Sequence, residues 1–109
     1  QIDRRLLDAW AADVLHFVTP GGESVAMLQA RALDCVRSLR GNPVALVTHA
    51  GVIRALLGHW LHLPIDEWSR LRLDFGSLTL LEIDASRDDL QQTGPGQPHA
   101  PAILHYLNR

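Results

Sequence analysis

The segment VALVTHAGVIRALL, residues 44–57, constrains the fold most, because its hydrophobic pattern changes halfway along. Residues 44–48 form a short apolar run rich in β-branched side chains, which favours a strand buried on both faces of a sheet. From Gly51 onward, apolar residues recur at helical spacing, and a single histidine, His49, lies between the two halves. In an open α/β sheet, ligands bind where the carboxyl end of a strand meets the next helix. The pattern therefore predicts a ligand site at His49.

The sequence on either side of this segment indicates an α/β domain. Ser24 is a suitable N-cap for an amphipathic helix that ends before Gly41. Alternation in residues 71–84 predicts one or two strands, and residues 102–108 predict a last strand paired antiparallel with residues 78–83. A helix, a buried strand and a second helix in this order are typical of a sheet flanked by helices. The other expected elements are a partly helical approach at residues 1–17, a capped turn at residues 64–68 in which Asp66 can cap a short helix that carries Trp68, and a surface loop at residues 86–101.

Composition limits the size of the core and the kinds of partner. With 109 residues, of which 47% are hydrophobic, the chain is long enough for one core, so we expect a single domain over residues 1–109. A net charge of -2 argues against nucleic acid, and no apolar run is long enough for a bilayer. The one cysteine, Cys35, is expected to be a buried thiol in a cytoplasmic protein. The expected aromatic core residues are Trp10, Trp60 and Trp68.

The residues around His49 predict that the ligand is an anion. The first turn of a helix has unpaired N–H groups and the positive end of the helix dipole, and Gly51 allows close approach of a ligand to the backbone. A histidine beside a phosphoryl group can donate a hydrogen bond and neutralise charge on the equatorial oxygens. The same position is equally compatible with a histidine that caps the helix or satisfies a polar group in the core.

Three stretches, PGGESVAMLQARALDCV, VALVTHAGVIRALL and LRLDFGSLTLLEID, occur in this order, and together they resemble the C-terminal half of the histidine phosphatase superfamily. The resemblance covers residues 9–84, and ILHYLN matches the usual final strand. It implies the phosphoglycerate-mutase-like fold, a three-layer α/β sheet flanked by helices. The run AWAADVLHFVTPGGES is most similar to bacterial alpha-ribazole phosphatases, which act late in cobalamin nucleotide-loop assembly. Fructose-bisphosphate and broad-specificity phosphatases share its Gly-Glu-Ser segment.

The resemblance implies hydrolysis of a small phosphomonoester through a phosphohistidine, without a metal or cofactor. In the family, a first histidine attacks phosphorus in line while arginines and a second histidine hold the equatorial oxygens. A carboxylic acid protonates the leaving alcohol. His49 matches the second histidine, within a Thr-His-Ala-Gly version of the motif that includes Ala50 and Gly51. The resemblance thus makes His49 catalytic and places Ala50 and Gly51 at the phosphate.

Two further residues are candidates for substrate or phosphate binding. Glu23, in the Gly-Glu-Ser segment, either lines the substrate pocket or interacts with the N-terminus of the following helix; it is not expected to be the catalytic acid. Ser77, in FGS, either faces the pocket or serves the turn.

The sequence lacks two motifs that the family chemistry needs. The nucleophile comes from an Arg-His-Gly motif and the acid from a glutamate ahead of Gly-Glu-Ser, yet no Arg-His pair occurs in the chain. We therefore expect the C-terminal portion of a phosphatase domain, inactive alone, that lacks the first strand. Residues 44–48 would then offer an unpaired edge for a homodimer or for pairing with another chain. The alternative is a non-catalytic phosphate-binding or interaction module derived from the same fold.

Overall fold

The computed structural model describes residues 3–83 and 102–109, so the expected loop at residues 86–101 lies outside the described residues. The chain divides into two compact units, Gln1–Leu56 and Leu57–Arg109. The elements within the described ranges are α1 (Arg4–Ala12), α2 (Val25–Arg37), α3 (Ala50–Trp60), α4 (Ile65–Trp68), β1 (Leu80–Ile83) and β2 (Ala102–Tyr106). This mixture of helices and strands fits an α/β protein.

Helix α1 begins the first unit with a side-chain cap. Asp3 precedes the helix, and its Oδ1 accepts a hydrogen bond from the Arg5 N–H at 2.9 Å. The apolar residues of α1 remain well exposed, and Trp10 is 44% exposed. The predicted helix is thus confirmed for residues 4–12, whereas the expectation that Trp10 is a core residue is wrong.

Helix α2 begins at the predicted cap. The Ser24 hydroxyl accepts a hydrogen bond from the Met27 N–H at 3.1 Å, and Ser24 is buried. Within the first unit, the Gln29 side-chain amide donates to the carbonyl of Ala55 in α3 at 2.9 Å. Cys35 is exposed, so the expected buried thiol is wrong. The helix face that carries Cys35 borders an open groove because no strand covers it within the described residues.

The segment predicted as a buried strand, Val44–Thr48, has no regular secondary structure and is not part of a sheet. All five of its residues are exposed, and none of them makes a backbone hydrogen bond within residues 3–83 and 102–109. The prediction of a buried strand is therefore wrong. The physical reason is that an isolated strand gains no stability without a hydrogen-bonded neighbour. Likewise, the three-layer sheet implied by the resemblance is not formed by the described residues.

The second unit is built around tryptophan packing and one antiparallel pair. Trp60 and Trp68 are buried, as predicted. The Trp68 indole N–H donates to the Leu63 carbonyl at 3.0 Å, and its ring packs against Gly58. Asp66 lies in the first turn of α4 and does not cap it; Pro64 occupies the cap position without a side-chain hydrogen bond.

The predicted antiparallel pairing of the last strand is confirmed. Strand β1 pairs with β2, with Leu81 opposite Leu104 and Glu82 opposite Ile103. Beyond the strands, the backbones of Leu78 and Arg109 exchange two hydrogen bonds, at 3.1 and 2.9 Å. Residues 71–77 contain a bend and a turn but no strand, so the alternating stretch contains one strand among its described residues. Within the described ranges, no helix is long and apolar enough to cross a membrane.

Candidate functional site

His49 lies immediately before α3, at the position of its N-cap. Its carbonyl accepts the first helical hydrogen bond, from the Ile53 N–H at 3.1 Å. The residue is exposed, and its imidazole makes no hydrogen bond to any other described residue. Two structural roles were considered for this histidine, a buried core residue and a side-chain cap of the helix. The first disagrees with its exposure, and the second disagrees with the lack of a hydrogen bond from its ring to the described residues. The ring is therefore available to a ligand at the helix N-terminus.

The backbone beside His49 supplies donors for an anion. The N–H groups of Ala50, Gly51 and Val52 belong to the first turn of α3, and they have no hydrogen-bond acceptor within the part of the chain that the structure describes. A Cβ atom added at Gly51 would meet nothing within 4 Å, so the space in front of this turn is open. Three free donors and the positive end of the helix dipole favour a phosphate-sized anion there.

A cavity of about 270 Å³ lies in the first unit, but its chemistry is apolar. It borders Thr48 and Val52, which flank the His49 motif, while His49 itself is not in its lining. The cavity is therefore distinct from a phosphate pocket, and the anion donors lie on open surface beside it. We call this cavity the α2–α3 groove; its lining residues are Leu28, Arg31, Ala32, Cys35, Val36, Leu46, Val47, Thr48, Val52 and Leu56.

Glu23 is engaged by a side chain of α2. Its carboxylate accepts hydrogen bonds from Arg31 Nη2 at 2.6 Å and from Arg31 Nε at 3.4 Å. The hydrogen bond from Arg31, followed by its charge, lowers the pKa of Glu23 below the ordinary glutamate value. A lowered pKa favours the carboxylate form, so Glu23 is poorly suited to act as a general acid. The cap of α2 is provided by Ser24 instead, so Glu23 acts here as the ion-pair partner of Arg31.

Replacing Arg31 by alanine should raise the pKa of Glu23, because the hydrogen bond and the positive charge that favour the carboxylate are both removed. A carboxylate with a depressed pKa stabilises the folded state above its unfolded pKa, and this contribution is lost as the pH falls through the folded pKa. The variant should thus lose less stability on acidification. NMR titration of the Glu23 carboxyl carbon measures the shift, with Arg40→Ala as the control; an unchanged Glu23 titration would refute the assignment.

Ser77 belongs to the second unit, whereas the other four predicted site residues belong to the first. The Ser77 N–H donates to the Asp74 carbonyl at 3.2 Å, which agrees with the turn interpretation of this serine. A role for Ser77 in substrate binding stays a prediction.

Sequence reasoning missed a polar cluster at the same turn. Asp74 accepts a hydrogen bond from Arg72 Nε at 3.2 Å, and its own N–H donates to the Asn108 side-chain oxygen at 2.7 Å. Hydrogen bonds from Arg72 and then Asn108 lower the pKa of the Asp74 carboxyl. The cluster ties residues 72–74 to the chain just after β2. Asn108 is 34 residues from Asp74 in the sequence, so no local pattern signals their contact.

The described parts of the chain thus form an α/β protein with an exposed histidine and free backbone donors at one helix N-terminus. Residues 1–94 match the family model of the histidine phosphatase superfamily (branch 1). The chain therefore belongs to this superfamily, whose members are phosphatases and mutases. No curated protein and no solved structure matched the chain.

Proposed function

We propose that this chain contributes the second histidine, His49, to a histidine phosphatase that hydrolyses a small phosphomonoester. The observation that carries the proposal is the exposed, unpartnered ring of His49 beside three free N–H groups of α3. Membership of the superfamily supports phosphoryl chemistry at this motif. Glu23 lies outside the proton transfer, because its ion pair with Arg31 favours the carboxylate form.

In the proposed reaction, the chain binds and stabilises the transferring phosphoryl group. A histidine nitrogen attacks phosphorus while the bond to the ester oxygen breaks, and the leaving oxygen takes up a proton. Water then attacks the phosphohistidine and releases inorganic phosphate. His49 donates a hydrogen bond to an equatorial oxygen, and the N–H groups of Ala50 and Gly51 hold the others. The nucleophile is placed on an Arg-His-Gly segment outside these 109 residues, because no Arg-His pair occurs among them.

Within this proposal, we expect the substrate to be alpha-ribazole phosphate. Support comes from the resemblance of the run AWAADVLHFVTPGGES to alpha-ribazole phosphatases, which includes the loop leading to Ser24. This substrate would place the protein in cobalamin biosynthesis. The C-terminal position of the chain within a phosphatase domain rests instead on the resemblance of the three ordered stretches PGGESVAMLQARALDCV, VALVTHAGVIRALL and LRLDFGSLTLLEID.

One observation favours a second candidate function, a non-catalytic phosphate-binding module. The chain has the anion donors of α3 but no Arg-His pair. The residues present are therefore sufficient to bind phosphate, but they do not include the nucleophile motif needed for hydrolysis. Both candidates require phosphate to bind at His49, and they differ in whether a nucleophile completes the site.

Titration of the chain with inorganic phosphate tests the proposed site. The His49 ring signals and the amide signals of Ala50, Gly51 and Val52 should shift and saturate in NMR spectra, because these groups would contact the anion. The ring of His105, in the second unit, should not respond. The chain alone should not hydrolyse p-nitrophenyl phosphate. Shifts spread over the surface, or none at α3, would contradict phosphate binding, and turnover by this chain would contradict the missing nucleophile.

A further inference from the structure

A side-chain hydrogen bond links α2 to α3 within the first unit. The Gln29 amide Nε2 donates to the carbonyl of Ala55 at 2.9 Å, and the two residues are 26 apart in the sequence. Gln29 is half-buried and Ala55 is buried, so the bond is partly shielded from solvent. The surfaces of the two helices that line the α2–α3 groove are mostly aliphatic, and aliphatic contacts have no preferred direction. The bond therefore constrains the orientation of α3 relative to α2 in a way that the apolar contacts cannot.

The Ala55 carbonyl is one end of a chain of hydrogen-bonded peptide groups. In an α-helix, each N–H donates to the carbonyl four residues earlier, so the next peptide group in such a chain lies three residues earlier. From the Ala55 carbonyl, the chain therefore continues through the N–H groups of residues 56 and 53. The Ile53 N–H donates to the His49 carbonyl at 3.1 Å, and that carbonyl belongs to the same peptide group as the Ala50 N–H. The chain that starts at the side-chain amide of α2 thus ends at Ala50.

Ala50 provides one of the three free N–H groups at the proposed phosphate site. Its N–H has no acceptor within the part of the chain that the structure describes. Hydrogen bonds in a chain polarise one another, so a donor added at one end strengthens the free donor at the other end. The N–H groups of Gly51 and Val52 end the other two chains of the helix, which do not include the peptide group that Gln29 contacts. The side chain of Gln29 is therefore coupled to Ala50 rather than to the neighbouring donors.

We propose that Gln29 is a positioning residue for phosphate binding at His49, and that it acts through its hydrogen bond to Ala55. The bond holds the first turn of α3 in place and strengthens the Ala50 N–H as a donor to the anion. The Gln29 amide is neutral, so its effect is on the strength and direction of this donor and not on long-range attraction of the phosphate. The inference rests on the proposed function, because it concerns the same phosphate site.

NMR spectra of the ligand-free chain test the coupling directly. The variant Gln29→Met keeps the length of the side chain but has no N–H donor. The amide protons along the coupled chain should move upfield, because each of their hydrogen bonds becomes weaker; these belong to residues 50, 53 and 56. The amide protons of the other two chains should move much less; these belong to residues 51, 52, 54 and 55. A general displacement of α3 would instead move the amide signals of all three chains.

Titration with inorganic phosphate tests the consequence for binding. The affinity of Gln29→Met for phosphate should be about two- to tenfold lower than that of the parent chain. Gln29→Asn keeps the amide but is one methylene shorter, so it cannot reach the Ala55 carbonyl and should show the same loss. The matched control is Ala30→Met, which introduces the same side chain at an exposed position of α2 and should bind phosphate like the parent chain.

Three results would each overturn the proposal: unchanged amide signals in Gln29→Met, shifts of equal size in all three chains of α3, or an undiminished affinity for phosphate. An equal loss of affinity in Ala30→Met would also overturn it. If the parent chain showed no saturable response to phosphate, the proposed function would fail, whereas the ligand-free spectra would still decide whether Gln29 is coupled to Ala50. The two failures can therefore be distinguished.

Discussion

Replacing His49 by alanine should lower the affinity of the chain for inorganic phosphate by about tenfold to a hundredfold. A hydrogen bond to a charged group contributes about 1.5–3 kcal/mol, and each 1.4 kcal/mol corresponds to a factor of ten in affinity. The ring is exposed and makes no hydrogen bond to the described residues, so its loss should leave the fold unchanged. Isothermal titration calorimetry with phosphate, accompanied by a thermal melt, measures both quantities.

The matched control for this substitution is His105→Ala. His105 is also exposed, but it lies on β2 and its Nε2 is 3.0 Å from the Glu82 carboxylate. We expect this variant to bind phosphate like the parent chain. Equal affinities for the parent and His49→Ala would show that His49 does not contact the phosphate, even if binding at the α3 amides remained.

Replacing Gly58 by alanine should destabilise the second unit by about 1–3 kcal/mol, the usual cost of overpacking a core. A Cβ atom at Gly58 would overlap the five-membered part of the Trp68 indole. The ring cannot easily move away, because Trp68 is buried and its N–H is held by the Leu63 carbonyl at 3.0 Å. Urea denaturation followed by tryptophan fluorescence measures the free energy of unfolding.

The same helix provides a matched control, Gly51→Ala. A Cβ atom there meets nothing within 4 Å, and alanine is the better helix former by up to about 1 kcal/mol. Gly51→Ala should therefore unfold at the same or a higher urea concentration than the parent. If Gly58→Ala proved as stable as Gly51→Ala, this result would contradict the close contact between Gly58 and the Trp68 ring.

Local sequence signals predicted the helices and the final strand pair well. Ser24 caps α2 through its own hydroxyl, an interaction that spans three residues and so is visible in the sequence. The pairing of β1 with β2 follows from two apolar stretches of matching length. The error at Asp66 is also local, because the N-cap of α4 is Pro64, two residues before Asp66.

Predictions that depended on distant contacts were less successful. Val44–Thr48 has the composition of a buried strand, yet it is exposed, because burial requires neighbouring strands that the described residues do not supply. Cys35 is exposed, on a face of α2 that such a sheet was expected to cover. The ion pair between Glu23 and Arg31 could not be predicted from the sequence either, because several arginines could have formed an ion pair with Glu23.

The sequence by itself determined the family, the helix that follows His49 and the placement of that histidine at a strand-like-to-helix junction. These features depend on residue identity and on hydrogen bonds within one helical turn. Only the tertiary structure decided that the imidazole is exposed, that Glu23 forms an ion pair with Arg31, and that residues 44–48 have no neighbouring strand among the described residues. Each of these outcomes depends on which side chains and strands meet in space, and a linear pattern of hydrophobicity contains no information on that choice.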